Sequence, residues 1–345
     1  MTETRLELVR RYGADPIAYS TVQPAMQYFD TSFGYIAYRR IWGIDITLGP
    51  PVCDAKDSAA MVSRFLARSR RPIFCYVRRN FIDSLETSGL YCGGIGVDRI
   101  VDYDRFLNAP DKQVRSACKK AGKAKFELQQ ADFQTLPAPS RQRLDEITRN
   151  YFDKARCATE VTFVNLPMRF QEDGFRRAYL LTKHDKEHDG PFGYAVLNPI
   201  FSAGEVEGYL LDILRFERTR LWGVWLSAVW QLATLLSREG KYLSLGHSPL
   251  HGIEPVPEHL SSPWFEMQMR WMVRRFAASN YLVHLRQLKT LVPGDEIPRY
   301  FASYSSALPV TFLAVIRASG VTFSGLLGTE LLHAVKSGLN RKKKG

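Results

Sequence analysis

The stretch Gly240-Lys241-Tyr242-Leu243-Ser244-Leu245-Gly246-His247-Ser248-Pro249-Leu250-His251-Gly252 decides how this chain is read. Gly240 stops a helix, residues 242–245 form a short apolar strand, and a Gly/Pro-bounded turn with two histidines follows. Upstream, Tyr209-Leu210-Leu211-Asp212-Ile213-Leu214-Arg215-Phe216 reads as another strand with Asp212 and Arg215 near its end. Between the two, residues 223–238 give the clearest helix, with Leu226, Val229, Trp230 and Leu235 available for a buried face. Two strand ends presenting polar groups beside a long helix predict an α/β enzyme whose site lies where the sheet meets its loops.

The alternation continues outward. Residues 33–38, 41–48, 73–77 and 91–97 are strand-like, and Met61, Val62, Phe65 and Leu66 mark a helix over 57–68. Gly49-Pro50-Pro51 breaks the chain after the second strand. Further helical patterns cover 81–88 and 140–154, and a basic helix covers 111–122 before an extended segment at 125–128. In the second half, residues 176–182, 192–199 and 207–214 are strand candidates, and 156–163 is a loop at a domain junction. The expected division is an N-terminal α/β domain over 1–155, a C-terminal one over 156–318, and a tail over 319–345.

With 345 residues, 45% hydrophobic and 24% charged, the composition is that of a globular protein, and its 20 Phe and 16 Tyr argue against extensive disorder. The net charge of +12 suits a polyanionic partner such as tRNA, a nucleotide or an anionic membrane, and equally a soluble basic protein. Five dispersed cysteines without a CxxC pair, and no signal-like apolar start, point to a reducing, cytoplasmic setting. No metal cluster is expected, since His184 and His188 sit in a charged turn. Neither 307–316 nor 321–332 reaches the length and apolarity of a membrane span. In the tail, Phe323, Leu326, Leu327, Leu331 and Leu332 precede Arg341 and Lys342–Lys344. That pattern fits docking at the inner membrane face or against the protein's own core. There is no P-loop, dinucleotide fingerprint or Gly-x-Ser-x-Gly elbow, and Gly93-Gly94-Ile95-Gly96 is only a strand-associated glycine cluster.

Several short segments, in order, resemble the soluble C-terminal domain of phosphatidylglycerol lysyltransferases and their aminoacyl-tRNA-dependent relatives. They are Gly34-Tyr35-Ile36-Ala37-Tyr38, Leu48-Gly49-Pro50-Pro51-Val52, residues 93–96, Phe106, and Gln113-Val114-Arg115 with Lys119, Lys120 and Gly122. In the second half they are Leu211-Asp212-Ile213-Leu214-Arg215, residues 245–252, Asn280-Tyr281, Leu285, Lys289 and Pro298-Arg299-Tyr300. The resemblance implies tandem acetyltransferase-like (GNAT-like) domains, each a mixed sheet flanked by helices, with catalysis in the C-terminal one. It implies transfer of an aminoacyl group from aminoacyl-tRNA to a lipid or small-molecule hydroxyl or amine, with no cofactor. His247, Ser248 and His251 depart from the small residues usual at their positions, which leaves the amino acid and the acceptor open.

Such a transfer needs an acceptor held in place, a route for its proton and a stabilised oxyanion. Asp212 is the candidate for gripping the aminoacyl ammonium or assisting deprotonation, and Arg215 for a phosphate or the oxyanion; the alternative is a structural Asp–Arg pair. Within one strand their i,i+3 spacing puts them on opposite faces. His247 and His251 are candidate bases or acceptor-binding donors, against structural histidines. Asn280, Lys289, Arg299 and Tyr300 are candidate substrate ligands, with the last three suited to phosphate. Arg115, Lys119 and Lys120 are candidate tRNA-backbone contacts, against a solvated helix face. The competing functions are an acyl-CoA-dependent N-acyltransferase and a non-catalytic tRNA- or membrane-binding protein.

Overall fold

The structure, a computed structural model, describes residues 4–85, 88–123, 126–155, 162–166, 174–183, 190–217, 223–276 and 286–320. The first half opens with helix α1 (Arg5–Tyr12), closed by a capping box in which Thr4 and Glu7 satisfy each other's backbone N–H groups. Three antiparallel strands follow, β1 (Gln27–Thr31), β2 (Gly34–Ile41) and β3 (Ile44–Leu48), with the short β4 (Val52–Cys53) against β2. Helix α2 (Ser58–Arg68) then crosses over to β5 (Pro72–Val77), which pairs parallel to β3. A helix is what a parallel pair requires, because no tight turn can join two strands running the same way. Helix α3 (Arg79–Asp83) leads to β6 (Tyr91–Val101).

The second half repeats this order. After α4 (Lys112–Lys123), β7 (Phe126–Ala131) and α5 (Ala138–Ala155) come the antiparallel strands β8 (Arg177–Lys183), β9 (Gly193–Ser202) and β10 (Glu205–Phe216). Helix α6 (Val224–Arg238) crosses over to β11 (Tyr242–Pro249), parallel to β10, and α7 (Pro263–Phe276) leads to β12 (Gly294–Ser303). Helix α8 (Leu308–Ala318) follows. Each half thus runs antiparallel strands, crossover helix, parallel strand, helix, last strand.

The last strands are exchanged. β6 pairs with β11, and β12 pairs with β5, while β6 and β12 lie side by side at the centre. The result is one 12-stranded sheet ordered β1-β2-β3-β5-β12-β6-β11-β10-β9-β8-β7. Hydrogen bonding is therefore continuous across position 155, and β7 at 126–131 lies beside strands of the second half. Both faces are covered. Met61, Val62 and Phe65 of α2 pack under β2, β5 and β12, and Val9, Ala314 and Ala318 of α1 and α8 cover the opposite face. In the second half α4 and α6 cover one face and Leu144 and Ile147 of α5 the other.

Helices α1, α7 and α8 and strand β1 lie where no element was expected, and two strands near the centre of the sheet also differ from the sequence expectation. The strand at 242–245 extends to Pro249, so His247 belongs to the sheet rather than to a turn. A bulge between Ser244 and His247 absorbs the extra residue, with Gly246 at φ +68°, and this interrupts the period-two pattern at the point where the strand seemed to end. β12 was not expected as a strand at all. Pro298 inside it argues against a central strand, because it donates no ladder hydrogen bond.

Candidate functional site

Parallel pairing between β10 and β11 stops at Leu210 and Ser244, although both strands run on. β11 continues along β6 and β10 continues along β9. Each carries its bulge directly after the last shared pair, at 211–213 in β10 and at 244–247 in β11. Two parallel strands that part at their carboxyl ends leave a wedge in the sheet, where backbone groups and side chains can meet a ligand. β3 and β5 stop pairing in the same way at Leu48 and Cys75, and the next residue, Tyr76, is bulged against β12 and sits at φ +69°. A tyrosine in left-handed backbone is costly, and the surrounding structure must hold it there.

Tyr76 and His247 enter from the two sides of the central strands and meet over Asp98 and Arg299. Their rings are 4.8 Å apart, edge to face. Tyr76 Oη donates to Asp98 Oδ1 at 3.0 Å, and His247 Nδ1 lies 3.5 Å from the same oxygen, within ion-pair reach but too far for a hydrogen bond. Arg299, with no exposed surface, donates through Nε to Asp98 Oδ2 at 2.8 Å and through Nη1 to Asp15 Oδ2 at 2.6 Å. Arg78 Nε also reaches Asp15 Oδ2, at 3.0 Å. Gly96 leaves the space that the ring of His247 occupies. A Cβ there would fall 2.9 Å from His247 Cε1 and 2.2 Å from the Ser248 carbonyl oxygen.

Charge states follow from burial and partners. Burial alone would raise the Asp98 carboxyl, but Arg299 and His247 outweigh it and hold Asp98 well below the ordinary carboxylate value. Burial lowers His247, with Asp98 opposing, so the imidazole is neutral at pH 7. Nδ1 is the ring nitrogen nearer Asp98, and a proton held there would leave the lone pair of a base on Nε2. Lys289, in helical residues 286–290, donates from Nζ to the His247 carbonyl oxygen at 2.6 Å, and burial pushes it down to about 8.

The Lys289 shift makes stability depend on pH. The unfolded chain holds this proton up to its ordinary value of 10.5, whereas the folded chain releases it near 8. Between those values the unfolded state binds more protons, so stability rises with pH, by about 3 kcal/mol in total. Denaturant melts of wild type and Lys289→Met should therefore diverge across pH 8–10.5, the wild type gaining relative to the variant. A constant difference over that window would contradict the assignment.

Asp212 lies elsewhere. Its bulge puts it on the face of β10 that also carries Arg215, since Asp212 meets Arg176, which is bonded to Asn198, and Arg215 meets Tyr194, four residues before Asn198 on β9. The two do not pair. Asp212, 1% exposed, receives Arg176 Nη2 at 2.9 Å, Asn165 Nδ2 at 2.7 Å and the Leu166 N–H at 3.2 Å. Burial raises its pKa, with Arg176 and these donors acting against the rise. Gln23 binds the Phe163 carbonyl at 2.9 Å, so the segment 162–166 is tied both to the first half and to Asp212. Asp212 thus stands in a closed, buried network. An open hollow of about 540 Å³ borders Arg176 and also takes in Arg177, Tyr209 and Lys241.

The remaining candidates are scattered. Arg299 and Tyr300 are consecutive on β12 and face opposite sides: Tyr300 Oη donates to Glu254 Oε2 at 3.1 Å, away from Lys289 and His247. Lys289, Arg299 and Tyr300 therefore do not converge on one phosphate. His251 Nε2 lies 3.2 Å from Glu296 Oε1, which Arg99 also grips. Asn280 lies outside the described residues, as do His184 and His188. Arg115, Lys119 and Lys120 are exposed along the outer side of α4, while Val114, Ala117 and Ala121 point inward. Arg115 also borders a hollow of about 520 Å³ with Cys118 and Trp230. Among the described residues no group of His, Cys, Asp and Glu is arranged to hold a metal.

Sequence reasoning missed Asp15, Tyr76, Asp98 and Arg176. Asp98 had a signal: Asp98-Arg99 is a charged pair inside an otherwise apolar strand, and a buried carboxylate demands a partner. Tyr76 had none, because nothing in Ile73-Phe74-Cys75-Tyr76-Val77 announces a bulge.

The sequence matches the family described as "Phosphatidylglycerol lysyltransferase, C-terminal" over residues 6–303. The chain belongs to this family. The fold agrees: the L-PGS structure from Bacillus licheniformis superposes with a TM-score of 0.72 at 15% identity, covering 92% of this chain and 95% of that one. The C-terminal domain (DUF2156) of a putative lysylphosphatidylglycerol synthetase from Agrobacterium fabrum gives 0.69 at 16% identity, covering 91% and 98%. A conserved protein of unknown function from Bacteroides thetaiotaomicron gives 0.54 at 10% identity, covering 86% and 92%. No curated protein matches the sequence. At these identities the structural likeness concerns the fold alone, an α/β architecture of two similarly ordered halves with a mixed sheet flanked by helices. Family membership supports aminoacyl- or acyl-transfer chemistry in general terms.

Proposed function

We propose that this member of the phosphatidylglycerol lysyltransferase C-terminal family transfers an aminoacyl group from aminoacyl-tRNA to a lipid or small-molecule hydroxyl or amine, at the cytoplasmic side of a membrane or in the cytoplasm. The family match across nearly the whole fold carries the reading. The wedge between β10 and β11, with neutral His247 beside it on β11, supports it in chemical terms.

The donor ester is already activated, so the protein's work is positioning and proton transfer. In the step we envisage, His247 Nε2 takes the proton of the acceptor hydroxyl or amine as its oxygen or nitrogen bonds to the ester carbonyl. When the ester C–O bond breaks, the imidazolium returns that proton to the departing ribose oxygen. Asp98 holds the ring and stabilises the imidazolium during the interval. The exposed basic side of α4, with Arg115, Lys119 and Lys120, is the surface we assign to the tRNA backbone.

An acyl-CoA-dependent transferase is the competing reading, because parted parallel strands also suit a pantetheine thioester. Supplying each donor class to the purified protein separates the two. Ribonuclease-sensitive transfer from charged tRNA supports the proposal, whereas ribonuclease-resistant transfer from acyl-CoA alone defeats it.

A further inference from the structure

Three of the five large apolar side chains exposed among the described residues lie on one helix, while Trp42, 62% exposed, lies in the turn between β2 and β3. Trp264 is 57% exposed, Met267 49% and Trp271 61%, at i, i+3 and i+7 of α7, with Val310 of the adjoining α8 exposed to 47%. The three α7 positions form a single stripe. The opposite side of α7 is anchored, since Phe265 and Met269 pack with Phe301 and Leu308, and the Gln268 side chain bonds the Ser306 carbonyl and the Leu308 N–H. The helix is therefore already folded and fixed, with two tryptophans facing outward. A soluble surface has no use for such a stripe, and contiguous exposed apolar patches mark interaction sites.

The chemistry around the stripe identifies the partner. Arg270 and Arg274 are exposed beside it, and the acidic Glu266 is engaged with Arg270 at 3.6 Å. Tryptophan and methionine flanked by arginine suit the boundary between headgroups and acyl chains, where the indoles bury their rings and keep the N–H wet. The whole chain carries +12, which an anionic surface attracts. Fourteen residues reach only about 21 Å, and no described helix is long and apolar enough to cross a membrane, so α7 would lie along the surface.

We infer that the Trp264–Met267–Trp271 face of α7, bordered by Arg270 and Arg274, docks the protein on anionic lipid membranes. This deepens the proposed function by favouring a lipid acceptor. α7 packs through Phe265 on Phe301, which shares a face of β12 with Arg299, so docking would lay the layer over the buried charge centre against the bilayer.

Vesicle flotation of the full chain, with no aminoacyl donor present, tests the docking separately from transfer. Vesicles of phosphatidylcholine alone are compared with vesicles that also contain phosphatidylserine. Wild type should float with the anionic vesicles and lose binding as salt rises. Trp264→Ser with Trp271→Ser should lower partitioning roughly tenfold or more, and Arg270→Gln with Arg274→Gln should weaken the preference for anionic lipid. Brominated lipids should quench the tryptophan emission of the wild type, a readout needing no variant. The inference fails if wild type does not float, if the double tryptophan variant floats equally well, or if quenching is absent. It also fails if the tryptophan substitutions turn an oligomer into a monomer, since a second copy would then be the occupant. None of these outcomes bears on whether charged tRNA serves as donor.

Discussion

Arg299→Ala should destabilise the protein by about 3–5 kcal/mol, the range for stranding buried charges, and so remove a large part of a typical total of roughly 5–15 kcal/mol. Arg299 has no exposed surface and serves two carboxylates at once, Asp98 and Asp15. Without it Asp98 retains only Tyr76 and the more distant His247, and two buried negative charges lose their shared cation. Arg78 still compensates Asp15, so most of the cost should arise at Asp98. Arg299→Met combined with Asp98→Leu should recover much of the loss, because an apolar pair leaves no orphaned charge. Chemical denaturation of the single and double variants measures this directly. A loss within about 1 kcal/mol for Arg299→Ala would mean that the cluster is relaxed or hydrated.

His247→Gln should lower turnover by about 10²–10³-fold while changing KM little, as expected for removal of a general base. The glutamine is close in size and retains a donor toward Asp98, but it has no titrating nitrogen. The pH profile provides a second readout. Burial holds His247 below its ordinary value of 6.5, so wild-type turnover should climb on an acid limb below that pH and level off above it. The variant should lose that limb. A reduction within about threefold, with the limb intact, would assign His247 to positioning and leave the base elsewhere.

These two residues also show how much of the molecule its sequence disclosed. The α/β alternation was legible because β2, β5, β9 and α6 follow the periodicities of strands and helices, and the crossover helices α2 and α6 stand where parallel pairs need them. The strand exchange was not legible, because no local pattern says that β6 leaves β5 to pair with β11. His247 and Arg299 could be named from their chemistry, yet their meeting depends on β12 and β6 lying side by side, with Asp98 and Arg299 about 200 residues apart in sequence. Asp212 and Arg215 were visible as polar groups in an apolar strand. Their actual partners, Arg176 and Tyr194, come from β9 and the segment before β8, which strand periodicity cannot supply. Tyr76 was silent, since a bulge is set by the register of three strands rather than by its own residue.

The central claim is that an aminoacyl group moves from tRNA to an acceptor on this protein. The most direct measurement uses tRNAs charged with radiolabelled amino acids, incubated with the purified chain, total lipid and a small-metabolite extract, and counts the organic and aqueous phases separately. The account predicts label in a stable product for at least one amino acid, abolished by ribonuclease pretreatment and sharply reduced in His247→Gln. Label that never leaves the tRNA fraction, across every amino acid and both phases, would contradict it.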